Sequence, residues 1–271
     1  MATTRTDAIP VMILCGGEGS RLKEETELRP KPMLEIGDRP ILWHIMKLYA
    51  SHGLTDFILC LGYKGHIIKD YFLNYKTFGS DLRVELGPHG HTVEYLNNPS
   101  GEEDWRVTLV ETGQKAMTGC RVARAAQYVD ADTFCLTYGD GIGDIDVAAL
   151  LEFHRQHGKL ATVTGVRPPG RFGELRVEGH RAVEFNEKLQ TAEGVINGGF
   201  FVFQRSFIER YLTPDGDDCV LEREPLQRLA ADQQLAVYEH QGFWQPMDTY
   251  REYQLLNELW NSGKAPWRLW P

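Results

Sequence analysis

Apolar residues gather in short unbroken runs along the first two thirds of the chain, and helical spacing fills the gaps between them. Val11–Leu14, Phe57–Leu61, Thr133–Tyr138 and Ala161–Val166 have the length and content of buried strands. Between them Ile41, Leu42, Ile45, Leu48 and Tyr49 recur on one helix face, as do Ile67, Ile68, Tyr71 and Phe72, then Val122, Ala125, Ala126 and Val129, then Val147, Leu150, Leu151 and His154. Such alternation predicts βαβ units, in which ligands gather at the carboxyl ends of the strands. Residues 79–110 break the rhythm. Leu82, Val84 and Leu86 alternate, Gly87-Pro88 and Gly90 turn the chain, Val93 and Tyr95 alternate again, and a polar stretch leads to Val107 and Leu109. This reads as a strand-rich arm more than a core element.

Beyond 166, the loop Arg167–Gly173 leads into shorter alternating strands, Leu175–Val177 and Val183–Phe185. Ser206–Leu212 and Pro225–Ala231 read as helices and Ala236–Glu239 as a strand. A terminal helix over Tyr250–Trp260 is opened by Thr249 as N-cap. Asn197-Gly198-Gly199, taken alone, reads as a turn. No internal repeat or low-complexity linker divides the chain, so any two halves share one unit.

Composition narrows the class. At 271 residues with 42% hydrophobic and 25% charged content, the chain can bury a full core. A net charge of −9 argues against a nucleic-acid surface, so any phosphate is held locally. Five cysteines (Cys15, Cys60, Cys120, Cys135 and Cys219) form no CxxC pair, which suggests buried thiols in a reducing cytoplasm. No run approaches the ~20 apolar residues of a membrane helix, and Met1–Asp7 has no signal-peptide core. The expectation is a cytoplasmic protein without nucleic-acid or membrane partners.

Candidate chemistry starts where the first strand ends. Cys15-Gly16-Gly17-Glu18-Gly19-Ser20-Arg21-Leu22 follows Leu14, and glycines at 16, 17 and 19 would let backbone N–H groups face phosphate oxygens. Arg21 and Lys31 add positive charge, and Pro30 and Pro32 restrict the backbone on either side of Lys31. The pattern G-x-x-x-x-G-K-[ST] is absent, and Leu22 stands where a dinucleotide fingerprint has its third glycine. Gly139-Asp140-Gly141 places a carboxylate at a strand end, readable as a turn or as a ligand. Thr118-Gly119 is readable as a helix cap or as an anion- or base-facing turn.

Taken together, Gly16-Gly17-x-Gly19-x-Arg21-Leu22, Thr26 and Pro30-Lys31-Pro32-Met33 resemble the signature of the sugar-phosphate nucleotidylyltransferases. The continuation through Ile41-Leu42-Trp43-His44-Ile45-Met46, Tyr138-Gly139-Asp140-Gly141, Pro168-Pro169-Gly170-Arg171-Phe172-Gly173, Ile196-Asn197-Gly198-Gly199-Phe200-Phe201 and Gly242–Thr249 is similar to the branch that joins CTP to glucose 1-phosphate. The resemblance implies an α/β fold: a Rossmann-like mixed, mostly parallel central sheet flanked by helices, of the nucleotide-diphospho-sugar transferase type, with a small β-rich sugar-binding part and a protruding arm. It implies a single domain over 1–271, with a nucleotide-binding half near 8–145 that includes the arm 79–110, and a sugar-phosphate-binding half over 146–271.

The same resemblance implies that CTP and glucose 1-phosphate give CDP-glucose, a precursor for deoxysugars and polysaccharides, and pyrophosphate. Arg21, Lys31 and Asp140 would be catalytic. Leu14, Gly16, Gly17, Gly19, Arg21, Lys31, Thr118, Gly119, Arg121 and Asp140 would address the nucleotide, and Gly173, Glu187, Lys188 and Asn197 the sugar phosphate. Asp140 and Asp248 would hold Mg²⁺. In this branch the arm reaches neighbouring subunits, which implies a homo-oligomer, with a hexamer favoured. The chain departs from the family at Cys120, where a glycine is expected, and at Leu189, where most members carry proline. Selecting cytosine requires an acceptor for its amino group, from a carbonyl of Leu14–Gly17 or Thr118–Gly119, and a donor such as Arg121 for O2 or N3. Three other readings are weighed: a different phosphorylated substrate, a silent sugar-nucleotide sensor, and a nicotinamide-dependent oxidoreductase. The sensor would lose the loop cations or metal carboxylates that this chain keeps, and the oxidoreductase would need the missing third glycine.

Overall fold

A computed structural model describes residues 9–19, 22–88, 90–97, 103–168, 174–178, 181–186, 194–213 and 216–270. Seven strands form the central sheet, numbered here in chain order: β1 (Val11–Leu14), β2 (Asp56–Leu61), β3 (Arg106–Glu111), β4 (Thr133–Tyr138), β5 (Ala161–Val166), β6 (Ile196–Gln204) and β7 (Leu235–His240). Their spatial order is β7-β5-β6-β4-β1-β2-β3. Every neighbouring pair is parallel except the two made by β6, which runs antiparallel to both β5 and β4.

The inner strands β1, β2 and β5 are buried along their whole length, which explains why they read as unbroken apolar runs. Val11 and Ile13 point into a core shared with the helix Ile41–Ser51 and with Trp267. Met12 and Leu14 point the other way, toward Val122 and Ala125 of the helix Thr118–Ala125 and toward Phe134 and Phe207. The arrangement has three layers, helices over sheet over helices, as the alternating pattern predicts. A separate hairpin, Leu82–Gly87 with Gly90–Tyr95, stands off the sheet and leaves Val84, Leu86 and Val93 exposed. A second two-stranded unit, Glu174–Glu178 with Arg181–Asn186, follows β5.

Two elements differ from expectation. The stretch assigned to the arm over 79–110 ends sooner, because Arg106–Glu111 is the edge strand β3, in parallel register with β2 from Asp56↔Arg106 to Leu61↔Glu111. An edge strand with one half-covered face alternates just as a free hairpin does, so periodicity could not separate them. Asn197-Gly198-Gly199, which taken alone reads as a turn, lies instead within Ile196–Gln204, an inner strand of the sheet. Gly199 (φ 75°) and Phe200 (φ 49°) are both left-handed, and the β5–β6 register shifts between Val163 and Gly165. The glycine pair therefore marks a β-bulge inside a strand.

Candidate active site

The reversed direction of β6 matters for the site. Its first residues lie where the parallel strands finish, with Asn197 opposite Gly165 and Ile196 opposite Val166. At this same edge β1 releases Cys15-Gly16-Gly17, and β4 releases Gly139-Asp140. The edge encloses a cleft of about 350 Å³, whose walls include Gly16, Gly17, Lys31, Thr118, Arg121 and Asp140.

Three charged side chains meet at one end of the cleft. Lys31 sits in a single helical turn, Lys31–Met33, and is itself buried. Its Nζ donates to Oδ2 of Asp140 at 2.8 Å and to Oδ1 of Asp248. Burial is the largest single influence on the ammonium and acts to lower its pKa, but the two carboxylates together outweigh it and hold the lysine above its ordinary value. Local structure brings the two acids together. Gly141–Gly143 pairs antiparallel with Trp244–Pro246, and the Met247 N–H donates to the Asp140 carbonyl at 2.8 Å. Asp248 then enters the helix Tyr250–Asn261 through a capping box. Thr249 accepts from the Glu252 N–H, and Glu252 Oε2 accepts from the N–H groups of Asp248 and Thr249, each at 2.8 Å.

A divalent cation fits this geometry, since two partly exposed carboxylates already converge on one positive charge. Among the described residues no group of three or more His, Cys, Asp or Glu side chains could hold a metal. Two carboxylates with phosphate and water oxygens completing the shell are what Mg²⁺ commonly accepts.

The glycines divide into two kinds. Gly17 has open space where a Cβ would stand, as a ligand-facing position needs. At Gly16 and at Gly62, by contrast, a Cβ would lie 2.1 and 2.3 Å from Nη1 of Arg121. Arg121 is buried, and its terminal nitrogens donate to the carbonyls of Leu61 (3.0 Å), Gly113 (2.8 Å) and Gly16 (3.0 Å), to the Thr112 hydroxyl (2.9 Å), and to the Gln114 carbonyl (3.3 Å). It fastens the loops after β1, β2 and β3 to one another. Part of the glycine pattern in this loop thus serves a protein cation.

Thr118 and Gly119 line or adjoin the cleft, but Met117 takes the cap position of their helix. The segment 216–222 runs alongside them. Met117 N–H donates to the Asp217 carbonyl (2.8 Å), Gly119 N–H to the Cys219 carbonyl (2.9 Å), and the Thr118 hydroxyl to Glu222 (2.7 Å). A Cβ at Gly119 would strike Cys219. Cys120 is buried, and its Sγ accepts the Cys219 N–H at 3.2 Å. Asn197 is exposed, and its amide bridges the Gly199 N–H and the Tyr138 hydroxyl. The expected site residues Arg21, Gly173, Glu187 and Lys188, and the departure at Leu189, lie outside the described residues.

Sequence reasoning missed Tyr138 as a cleft residue and Glu222 altogether. Tyr138 stands beside Gly139-Asp140, which could have drawn attention to it. Glu222 lies 104 positions from Thr118 and has no local pattern around it.

The pattern of the nucleotidyl transferase family matches residues 10–257. The glucose-1-phosphate cytidylyltransferases of Salmonella typhi and Salmonella typhimurium are each 49% identical to this chain, over 96% of it and 98% of their own length. Among solved structures, HddC of Yersinia pseudotuberculosis superposes with a TM-score of 0.66 at 22% identity, covering 93% of this chain and 99% of that one, a likeness of fold. With its matching sequence span and its glycine-walled cleft at the carboxyl edge of the sheet, the chain belongs to the nucleotidyl transferase family.

Proposed function

We propose that the protein transfers the cytidylyl group of CTP to α-D-glucose 1-phosphate, forming CDP-glucose and releasing pyrophosphate. Near-full-length identity to two glucose-1-phosphate cytidylyltransferases supports the reading. The observation that carries it is the convergence of Lys31, Asp140 and Asp248 at one end of the cleft.

The attacking oxygen belongs to a sugar phosphate that is already anionic, so no general base has to be supplied. It forms a bond to the α-phosphorus of CTP while the bond from that phosphorus to the pyrophosphate oxygen breaks. The protein's work is alignment and charge neutralisation. Asp140 and Asp248 would hold Mg²⁺, which when bound offsets the charge of the triphosphate. Lys31 brings a cation to the same point, and Gly17 leaves its backbone open to the phosphates. Arg21 is proposed as a further cation for the nucleotide. Lys188 would hold the sugar phosphate, with Glu187, Gly173 and Asn197 addressing the glucose. Arg121 anchors the cleft floor, because its terminal donors are engaged by the protein. Association with further copies is supported by the exposed apolar side chains of the hairpin, among them Leu86 at 85% exposure, and the family resemblance favours a hexamer. Among the described residues no helix is long and apolar enough to cross a membrane.

The test is pyrophosphate release from CTP, UTP, dTTP, ATP and GTP, each with glucose 1-phosphate. The highest kcat/KM is expected for CTP. A comparable value for UTP or dTTP would remove the cytidylyl assignment and leave nucleotidyl transfer standing.

A further inference from the structure

Lys31, Asp140 and Asp248 meet at one point of the cleft wall, which Leu14, Ala116, Met117, Thr118 and Arg121 also line. On the reading proposed above, the triphosphate takes the side of Lys31 and leaves the base to the side of Thr118. There the protein has fixed the direction of one hydroxyl. Thr118 Oγ1 donates to Oε2 of Glu222 (2.7 Å) and accepts the N–H of Leu221 (2.9 Å). A hydroxyl has one proton and two lone pairs. The proton is committed to a carboxylate, which accepts and does not donate, and one lone pair is committed to Leu221. A single lone pair remains, so a ligand group that meets this oxygen must be a donor.

The same carboxylate reaches further along the cleft. Oε1 of Glu222 accepts from the Tyr138 hydroxyl at 2.6 Å, and that hydroxyl accepts from Nδ2 of Asn197 at 3.3 Å. Oδ1 of Asn197 takes the Gly199 N–H at 2.9 Å, which fixes which way the amide faces. Each of these side-chain protons, from Thr118 at one end to Asn197 at the other, points toward Glu222.

We infer that Glu222 is a positioning residue for nucleobase selection. By holding the Thr118 proton it makes that hydroxyl an acceptor, which favours a base edge carrying an amino group, as cytosine does at position 4. A base with a carbonyl oxygen at that position, as in uracil, meets lone pair against lone pair and leaves both unpaired. With an amide at position 222, Nε2 can face the Thr118 hydroxyl while Oε1 keeps the Tyr138 proton, and the freed Thr118 proton then suits a carbonyl on the base. The inference rests on the CTP reading.

The experiment measures kcat/KM for CTP and for UTP in wild type, Glu222→Gln, Thr118→Val and the double variant, with thermal melts to verify folding. Both single variants should raise the UTP-to-CTP ratio on the order of tenfold, the worth of about one hydrogen bond. The double variant should raise it no further, since both changes act on one contact. If Glu222→Gln lowers both nucleotides equally, Glu222 is a structural residue and the inference falls. If Glu222→Gln does not fold, an unchanged ratio in Thr118→Val overturns the inference by itself. A wild type that uses UTP as well as CTP would instead remove the cytidylyl reading, a separate outcome visible before any variant is made.

Discussion

Lys31 occupies the point where two carboxylates converge, and on the proposed reading a divalent cation would share that point with it. Replacing it has two consequences that can be read separately. Lys31→Met should lower turnover on the order of 10²-fold, as losing one positioned charge from a dry site does. It should also leave Asp140 and Asp248 facing each other with less compensation, so that added Mg²⁺ raises the melting temperature of the variant more than that of wild type. An equal Mg²⁺-dependent rise in both would place the cation elsewhere. Asp140→Asn is the complementary change, since the amide keeps the shape but loses the charge that would hold the proposed metal. It should abolish the Mg²⁺-dependent rise together with most of the activity.

The helix Tyr250–Asn261 shows how an element's start can serve a site. Its capping box orients Glu252 toward the N–H groups of Asp248 and Thr249, so the cap and the carboxylate share one anchor. Thr249→Ala should cost about 1 kcal/mol in denaturant unfolding and also weaken the response to Mg²⁺, because Asp248 loses part of its support. A stability loss with an unaltered Mg²⁺ response would separate the two roles. The helix and its Thr249 cap were legible in advance, and the structure adds Glu252 as the second half of a capping box. The position of Asp140 at a strand end was legible from the apolar run before it, while the pattern alone left turn and ligand open and only the family resemblance chose between them. β6 was not, because the two glycines that form its bulge carry the signature of a turn, and only pairing with β4 and β5 decides between them. Nor was Glu222, whose place is set by a segment docking against a helix start far away in sequence. Local pattern reveals what local sterics and caps determine, and it is silent where tertiary contact gives a residue its partner.

For the molecule as a whole, two buried histidines contribute to stability on the acid side. Burial lowers His44 to about 4, opposed by its contact with the Ile36 carbonyl. Burial, with the neighbouring charges of His157 and Arg155, likewise lowers His154 to about 4. In the unfolded chain each titrates near 6.5. Their contribution is therefore fully present above about pH 6.5 and is lost as pH falls toward 4, because only unfolding lets them take up protons freely. The melting temperature should decline across that window, and a flat profile from pH 7 to 4.5 would show that neither ring is held neutral by the fold. The antiparallel placement of β6 has a further consequence, for biosynthesis. A nascent chain that has not yet extruded Ile196–Gln204 can assemble β1 to β4, but the outer edge of Thr133–Tyr138 still lacks the strand that will cover it. That edge presents unpaired backbone N–H and C=O groups, through which a second unfinished chain on the same polysome could pair. Translation speed across the 57 codons between β4 and β6, residues 139–195, would thus set how long neighbouring chains are exposed to one another.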